Sequence, residues 1–169
     1  HVARVPAAAA ARGAGRLQQG ACRAEALGEA PLQAAARAGE GFTRGVQGRP
    51  AEARTALDAA RALAPGDPGA LVEVELAVAG LAMKAGERAA AAAGLDAALT
   101  GLAKVTDPGR KAGALLVAAS LQRELGQGGA AGSSLGKAEA LLRGTELDVL
   151  RADAKTTRGT WALQDGDLA

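Results

Sequence analysis

The chain of 169 residues contains no tyrosine and only one residue each of phenylalanine, tryptophan, methionine, cysteine and histidine. Each scarcity excludes a class of chemistry. A lone Cys22 forms no internal disulfide, and Cys22 with His1 falls short of the four ligands of a closed zinc site. His1 stands at the chain end, so no histidine is placed to activate a serine or cysteine nucleophile. Bases have almost no aromatic rings to stack on, and 20 lysines and arginines against 18 acidic residues leave no dense basic stripe. Direct nucleic-acid binding is therefore not expected. No segment approaches the roughly 18 uninterrupted apolar residues of a membrane span, and the run from Ala7 to Ala11 is far too short. Gln19-Gly20-Ala21-Cys22 has the look of a lipoprotein cleavage site, but Arg12 and Arg16 interrupt the apolar segment that would have to precede it. A cytoplasmic protein is expected, with a periplasmic one as the alternative.

Nearly half of the chain is nevertheless apolar, at 49%, and most of that is alanine, leucine and valine. Alanine has the highest helix propensity, so the fold class is all-α. Small side chains imply helices that approach one another closely. The 24 glycines pull the other way, each costing roughly 0.5–1 kcal/mol inside a helix relative to alanine, so single helices are expected to be weak alone.

A repeat organises the chain. Gly86, Ala91, Leu95 and Ala98 share their spacing with Gly48, Ala53, Leu57 and Ala60 and with Gly126, Ala131, Leu135 and Ala138, and Gly166 opens a fourth copy. A fixed period of 38–40 residues marks an α-solenoid of antiparallel helix pairs whose units bury their apolar faces against neighbours. Residues 1–29 read as an N-terminal helical cap or degenerate repeat, with helices over 7–19 and 21–27. Residues 30–169 read as the solenoid, its last repeat incomplete. Before Gly48 comes a helix with Leu32, Ala35, Gly39, Phe42 and Val46 at helical spacing. The segments Ala64–Pro68 and Thr106–Gly109 stop the return helices, and Gly144 ends the third unit. Thr145 is expected to cap the last helix, which carries Leu147, Leu150, Ala154 and Trp161. Trp161 falls five residues before a repeat glycine, as do Leu81 and Leu121, and is expected to pack between repeats. Gly166-Asp167-Leu168-Ala169 looks like the turn into a further helix, so the chain reads as a piece of a longer protein.

Gly48, Ala53, Leu57, Ala60 and Pro65 resemble the turn glycine, the three packing positions and the closing proline of a tetratricopeptide repeat. The resemblance runs from about Pro31 to the C-terminus and implies a right-handed solenoid whose concave groove binds peptides or proteins. Two features depart from the family. Glu40 and Arg44 stand where it has large apolar residues, which suggests a shifted first helix in that unit, and units near 40 residues imply first helices extended by about one turn. The longer units resemble the sensor arms of multidomain bacterial transcription activators and signal-transduction ATPases. The groove positions implied by the resemblance are Phe42 and Val46 in the first unit, and Glu73, Leu76, Met83 and Lys84 in the second. Ser120, Arg123 and Glu124 follow in the third, and Thr156, Thr160 and Gln164 in the fourth. Phe42 reads either as a core anchor or as a hot spot for a partner.

Motifs for catalysis fail on context. Gly132-Ser133-Ser134-Leu135-Gly136 has the glycine-x-serine-x-glycine pattern of a nucleophile elbow, which needs a preceding strand and a histidine, and the repeat puts it on a return helix. Extended to Lys137 it lacks a residue between its glycines and has Ala138 where a phosphate loop needs Ser or Thr. No enzyme activity, cofactor or metal is expected. The leading function is a protein-interaction scaffold with a peptide or protein partner in the groove, within a larger chain or complex. A sensor arm of a larger regulator and an accessory subunit of an envelope or secretion assembly are the alternatives.

Overall fold

The structure, a computed structural model, describes residues 30–165. Its elements are α1 (Ala30–Val46), α2 (Pro50–Leu63), α3 (Pro68–Lys84), α4 (Arg88–Leu102), α5 (Pro108–Glu124), α6 (Gly128–Leu142) and α7 (Asp148–Asp165). The expected all-α class holds for these residues. The cap at 1–29, with its two helices, and the turn from Gly166 lie outside them. The chain divides into two compact bodies, residues 1–101 and 102–169, and the packing below holds within each.

The turn glycines explain the period. Gly48, Gly86 and Gly126 have φ of 77°, 81° and 83°, the left-handed region in which a Cβ is costly. At each, two backbone hydrogen bonds close the preceding helix. The Gly86 N–H donates to the Met83 carbonyl at 3.0 Å and the Glu87 N–H to Ala82 at 2.9 Å, which is the Schellman motif. Gly48 with Arg49 and Gly126 with Gln127 repeat both bonds. The next helix starts at once, since the Ala91 N–H donates to the Glu87 carbonyl at 2.9 Å.

The segments expected to stop return helices also start the helices that follow. The Asp67 carboxylate accepts from the Ala70 N–H at 2.6 Å, and Asp107 from Arg110 at 2.7 Å. Pro68 and Pro108 occupy the first helical positions, where the missing N–H costs nothing. Thr145 does not cap α7. Its hydroxyl donates to the Leu142 carbonyl at 2.9 Å, Gly144 turns the chain with φ 75°, and α7 begins only at Asp148.

Side-chain register follows from the close approaches. In the first body a Cβ added at Gly94 would lie 3.2 Å from the Ala79 Cβ, and one at Gly101 would lie 2.9 Å from Val72 Cγ2. Seven residues forward along α4 is seven back along α3, so the pair is antiparallel. Gly41 of α1 meets Leu57 and the Ala53 carbonyl of α2, and Arg44, further along α1, reaches Glu52, further back on α2, so this pair is antiparallel too. By contrast α1 and α3 run parallel, because Phe42 packs on Gly80 and Gly45 on Leu81. The glycines expected to weaken helices are here the residues that let helices touch. Buried Ala38, Leu57, Ala60 and Val74, with Ala77, Val78 and Leu81 against them, form the core.

In the second body α5 packs on α6 and on α7. A Cβ at Gly109 would meet Leu147 at 3.0 Å and one at Gly113 would meet Leu150 at 3.8 Å, so α5 and α7 are also parallel. The buried return-helix residues Ala91, Leu95 and Ala98 have counterparts in Ala131, Leu135 and Ala138, all at most 2% exposed.

Two expectations are corrected. Glu40 and Arg44 do not shift α1, which meets α3 near the repeat's own offset. They face away from α3 and form an ion pair, with Arg37 on the same carboxylate at 2.9 Å. Leu32, expected on the packed face, is 49% exposed. The first helices are longer than the return helices: α1, α3 and α5 have 17 residues and α7 has 18, against 14 to 15 for α2, α4 and α6.

Candidate functional site

The groove residues implied by the resemblance all lie on first helices, and the packing separates them. Val46, Lys84, Glu124 and Gln164 occupy one register at the last turn of α1, α3, α5 and α7, and all four are exposed. For Val46, Lys84 and Glu124 the left-handed glycine two residues later turns the chain at the helix end. Met83 and Glu73 are half-buried, and Ser120 is exposed with its hydroxyl donating to the Leu116 carbonyl at 3.2 Å. Leu76 is only 4% exposed and belongs to the interior. Its counterpart Leu116 is also buried, whereas Thr156, at the same register in α7, is exposed. Phe42 is half-buried against Gly80, the anchor reading of that residue.

Arg123 is engaged within its own body. Its guanidinium lies 5.0 Å from the Trp161 ring centroid, a cation–π distance, and donates to both carboxylate oxygens of Asp165, with Nη1 at 3.1 Å. The hydrogen bond from Arg123 holds the Asp165 pKa below the ordinary aspartate value, and the charge of Arg123 adds to the effect. Trp161 therefore packs between successive first helices, as its repeat position implies. Sequence reasoning found Arg123 and Trp161 separately but not their contact. The signal was present, since 38 residues separate them and the turn glycines are 38–40 apart. On the other flank of α7, Arg158 donates to both oxygens of Glu139 on α6 at 2.7 and 2.6 Å.

A cavity of about 500 Å³ opens between α1 and α2. One wall is polar, with Arg37, Glu40 and Arg44, and the other is apolar, with Ala56, Ala59 and Leu63. The resemblance did not point here. The cue was Glu40 between arginines three residues before and four after, a spacing at which helical side chains pair. Arg44 also lies 3.6 Å from Glu52, so the arginine charges are largely answered within the wall.

For chemistry the described residues offer little. Ser133 sits exposed on α6, and Ser134 is buried in it, so the serine motif is helix and not a strand-to-helix turn. Among the described residues no three His, Cys, Asp or Glu side chains converge as metal ligands, and no helix is long and apolar enough to cross a membrane. Comparison with protein-family models, with curated proteins and with solved structures finds no match.

Proposed function

We propose that this chain is a non-enzymatic scaffold that binds a peptide or protein partner, its helix pairs stacking as a right-handed solenoid similar to tetratricopeptide repeats. The observation that carries the reading is the exposed pair Val46 and Lys84 at one register in the last turn of α1 and α3 of the first body, a pattern that Glu124 and Gln164 repeat in the last turn of α5 and α7 of the second. A surface repeated at a fixed period suits an extended ligand better than a compact substrate. Within each body the two positions differ in character, apolar then basic in the first and acidic then neutral in the second, which gives a partner a direction to read. On the same helix half-buried Met83 precedes Lys84, and half-buried Glu73 stands about three turns further back.

Affinity capture from the native host, comparing the unaltered chain with Lys84→Glu and Glu124→Lys, tests this. Both side chains are exposed, so the variants keep the fold. Loss or exchange of the recovered partner in either variant supports these positions as the binding surface. Recovery of the same partner at the same yield by both variants contradicts it.

A further inference from the structure

Glycines inside the helices fall into two groups. At Gly41, Gly45, Gly80, Gly94 and Gly101 a Cβ would come within 3.2 Å of a side chain on a neighbouring helix, so close packing explains them. At Gly128, Gly129, Gly132 and Gly136 of α6 nothing lies within 4 Å of a Cβ, and none of the four has the left-handed φ of the turn glycines. Neither contact nor backbone geometry calls for glycine there.

The start of α6 has little else to hold it. Gln127 makes no side-chain capping bond, and the first turn has no acidic residue. Helices α3 and α5 start with a capping aspartate and a proline, and α2 starts with Pro50 and Glu52. Across Gly128–Ser134 only Ala131 and Ser134 are buried, and both side chains are small. Leu135 is the first large side chain that α6 buries, and Ala138 and Leu142 follow it, all at most 2% exposed. At the positions 40 residues earlier, α4 has Arg88-Ala89-Ala90-Ala91-Ala92-Ala93-Gly94, and its glycine packs on Ala79. Inside a helix each glycine lowers the helical population about two- to fivefold relative to alanine, so Gly129 and Gly132, in place of Ala89 and Ala92, cost roughly five- to twenty-fivefold.

We infer that the first two turns of α6, Gly128–Ser134, unfold and refold on their own while the rest of the helix stays packed on α5. Openings of this kind arise where few apolar groups are buried and backbone hydrogen bonds face solvent, and all of these residues but Ala131 and Ser134 are exposed. The opening is bounded on both sides. Gly126 closes α5 before it, and Leu135, Ala138 and Leu142 hold α6 after it. Its consequence is a switch in access, because Ser134 is 5% exposed in the closed helix and lies in a free stretch of glycine, alanine and serine in the open one. A protease or a serine-modifying enzyme that takes its substrate extended reaches Ser134 through the open form. The device goes beyond the groove reading and does not rest on it.

Native-state hydrogen exchange on the unaltered chain tests this. The amides of Gly132, Ser133 and Ser134 should show protection roughly tenfold or more below that of Ala138 and Leu142, and their exchange should be insensitive to low urea, the mark of an opening that exposes little surface. In Gly129→Ala/Gly132→Ala the protection at Ser133 and Ser134 should rise about five- to twenty-fivefold. Equal protection and the same urea dependence along the whole of α6 would mean that the helix opens only with its body, and would overturn the inference. So would an unchanged, urea-insensitive exchange in the double variant, since the glycines would then not set the opening.

Discussion

Phe42 packs on Gly80 so closely that a Cβ there would stand 2.8 Å from the Phe42 Cε2. This contact between α1 and α3 is 38 residues long in sequence and fixes two first helices in parallel register. Gly80→Ala should therefore be destabilising even though alanine is the better helix former. Overpacking of this kind costs about 1–3 kcal/mol, against the gain of roughly 1 kcal/mol from removing a helical glycine. A lower urea midpoint for Gly80→Ala, and recovery of part of the loss in Gly80→Ala/Phe42→Leu, is the expected result.

Alanine at Gly86 should be costly for a different reason. Nothing lies within 4 Å of a Cβ there, but φ is 81°, and the left-handed conformation costs an ordinary residue about 1–2 kcal/mol. Chemical denaturation of Gly86→Ala should show that loss, while Gly132→Ala, on the open side of α6 with no contact to a Cβ, should be neutral or stabilising.

The Arg123–Asp165 pair predicts a pH response. Because Arg123 lowers the Asp165 pKa, the pairing contributes above the unfolded aspartate value and is lost as pH falls through the lower folded value. The pair is solvent-facing, so its effect on global stability is small. Trp161, the single tryptophan, sits under Arg123 and reports the event directly. Its emission should change only below the ordinary aspartate range, and the step should vanish in Asp165→Asn.

Gln122 is 5% exposed, and its amide oxygen is buried without a hydrogen-bond partner. An unpaired buried acceptor costs about 1–3 kcal/mol. Gln122→Leu should raise the thermal midpoint, and Gln122→Glu, which adds a buried charge, should lower it sharply.

The helix order and the return-helix core were legible in the sequence because they rest on short-range rules. Glycine at the left-handed position and Ala-x3-Leu-x2-Ala on one face suffice to place Leu57, Leu95 and Leu135 inside. What decides burial on a first helix is the helix beside it, and that is a long-range property. Leu76 and Thr156 share a register yet one is buried and the other exposed, because α3 has α4 along that side and α7, among the described residues, has no helix there. Glu40 and Arg44 misled for a similar reason: they break the apolar pattern on a face that α3 does not cover. Thr145 failed as a cap because Gly144 moved the start of α7 three residues on.

The parallel stacking of successive first helices is the claim on which the rest depends, and spin-label broadening between residues 46 and 84 measures it most directly. In a Cys22→Ser background, labels at Val46→Cys and Lys84→Cys occupy exposed equivalent positions on α1 and α3. Packed parallel helices lie about 8–10 Å apart, so the doubly labelled chain should show strong dipolar broadening absent from either single label. A double-label spectrum equal to the sum of the two singles would place the helix ends far apart and contradict the stacked repeat.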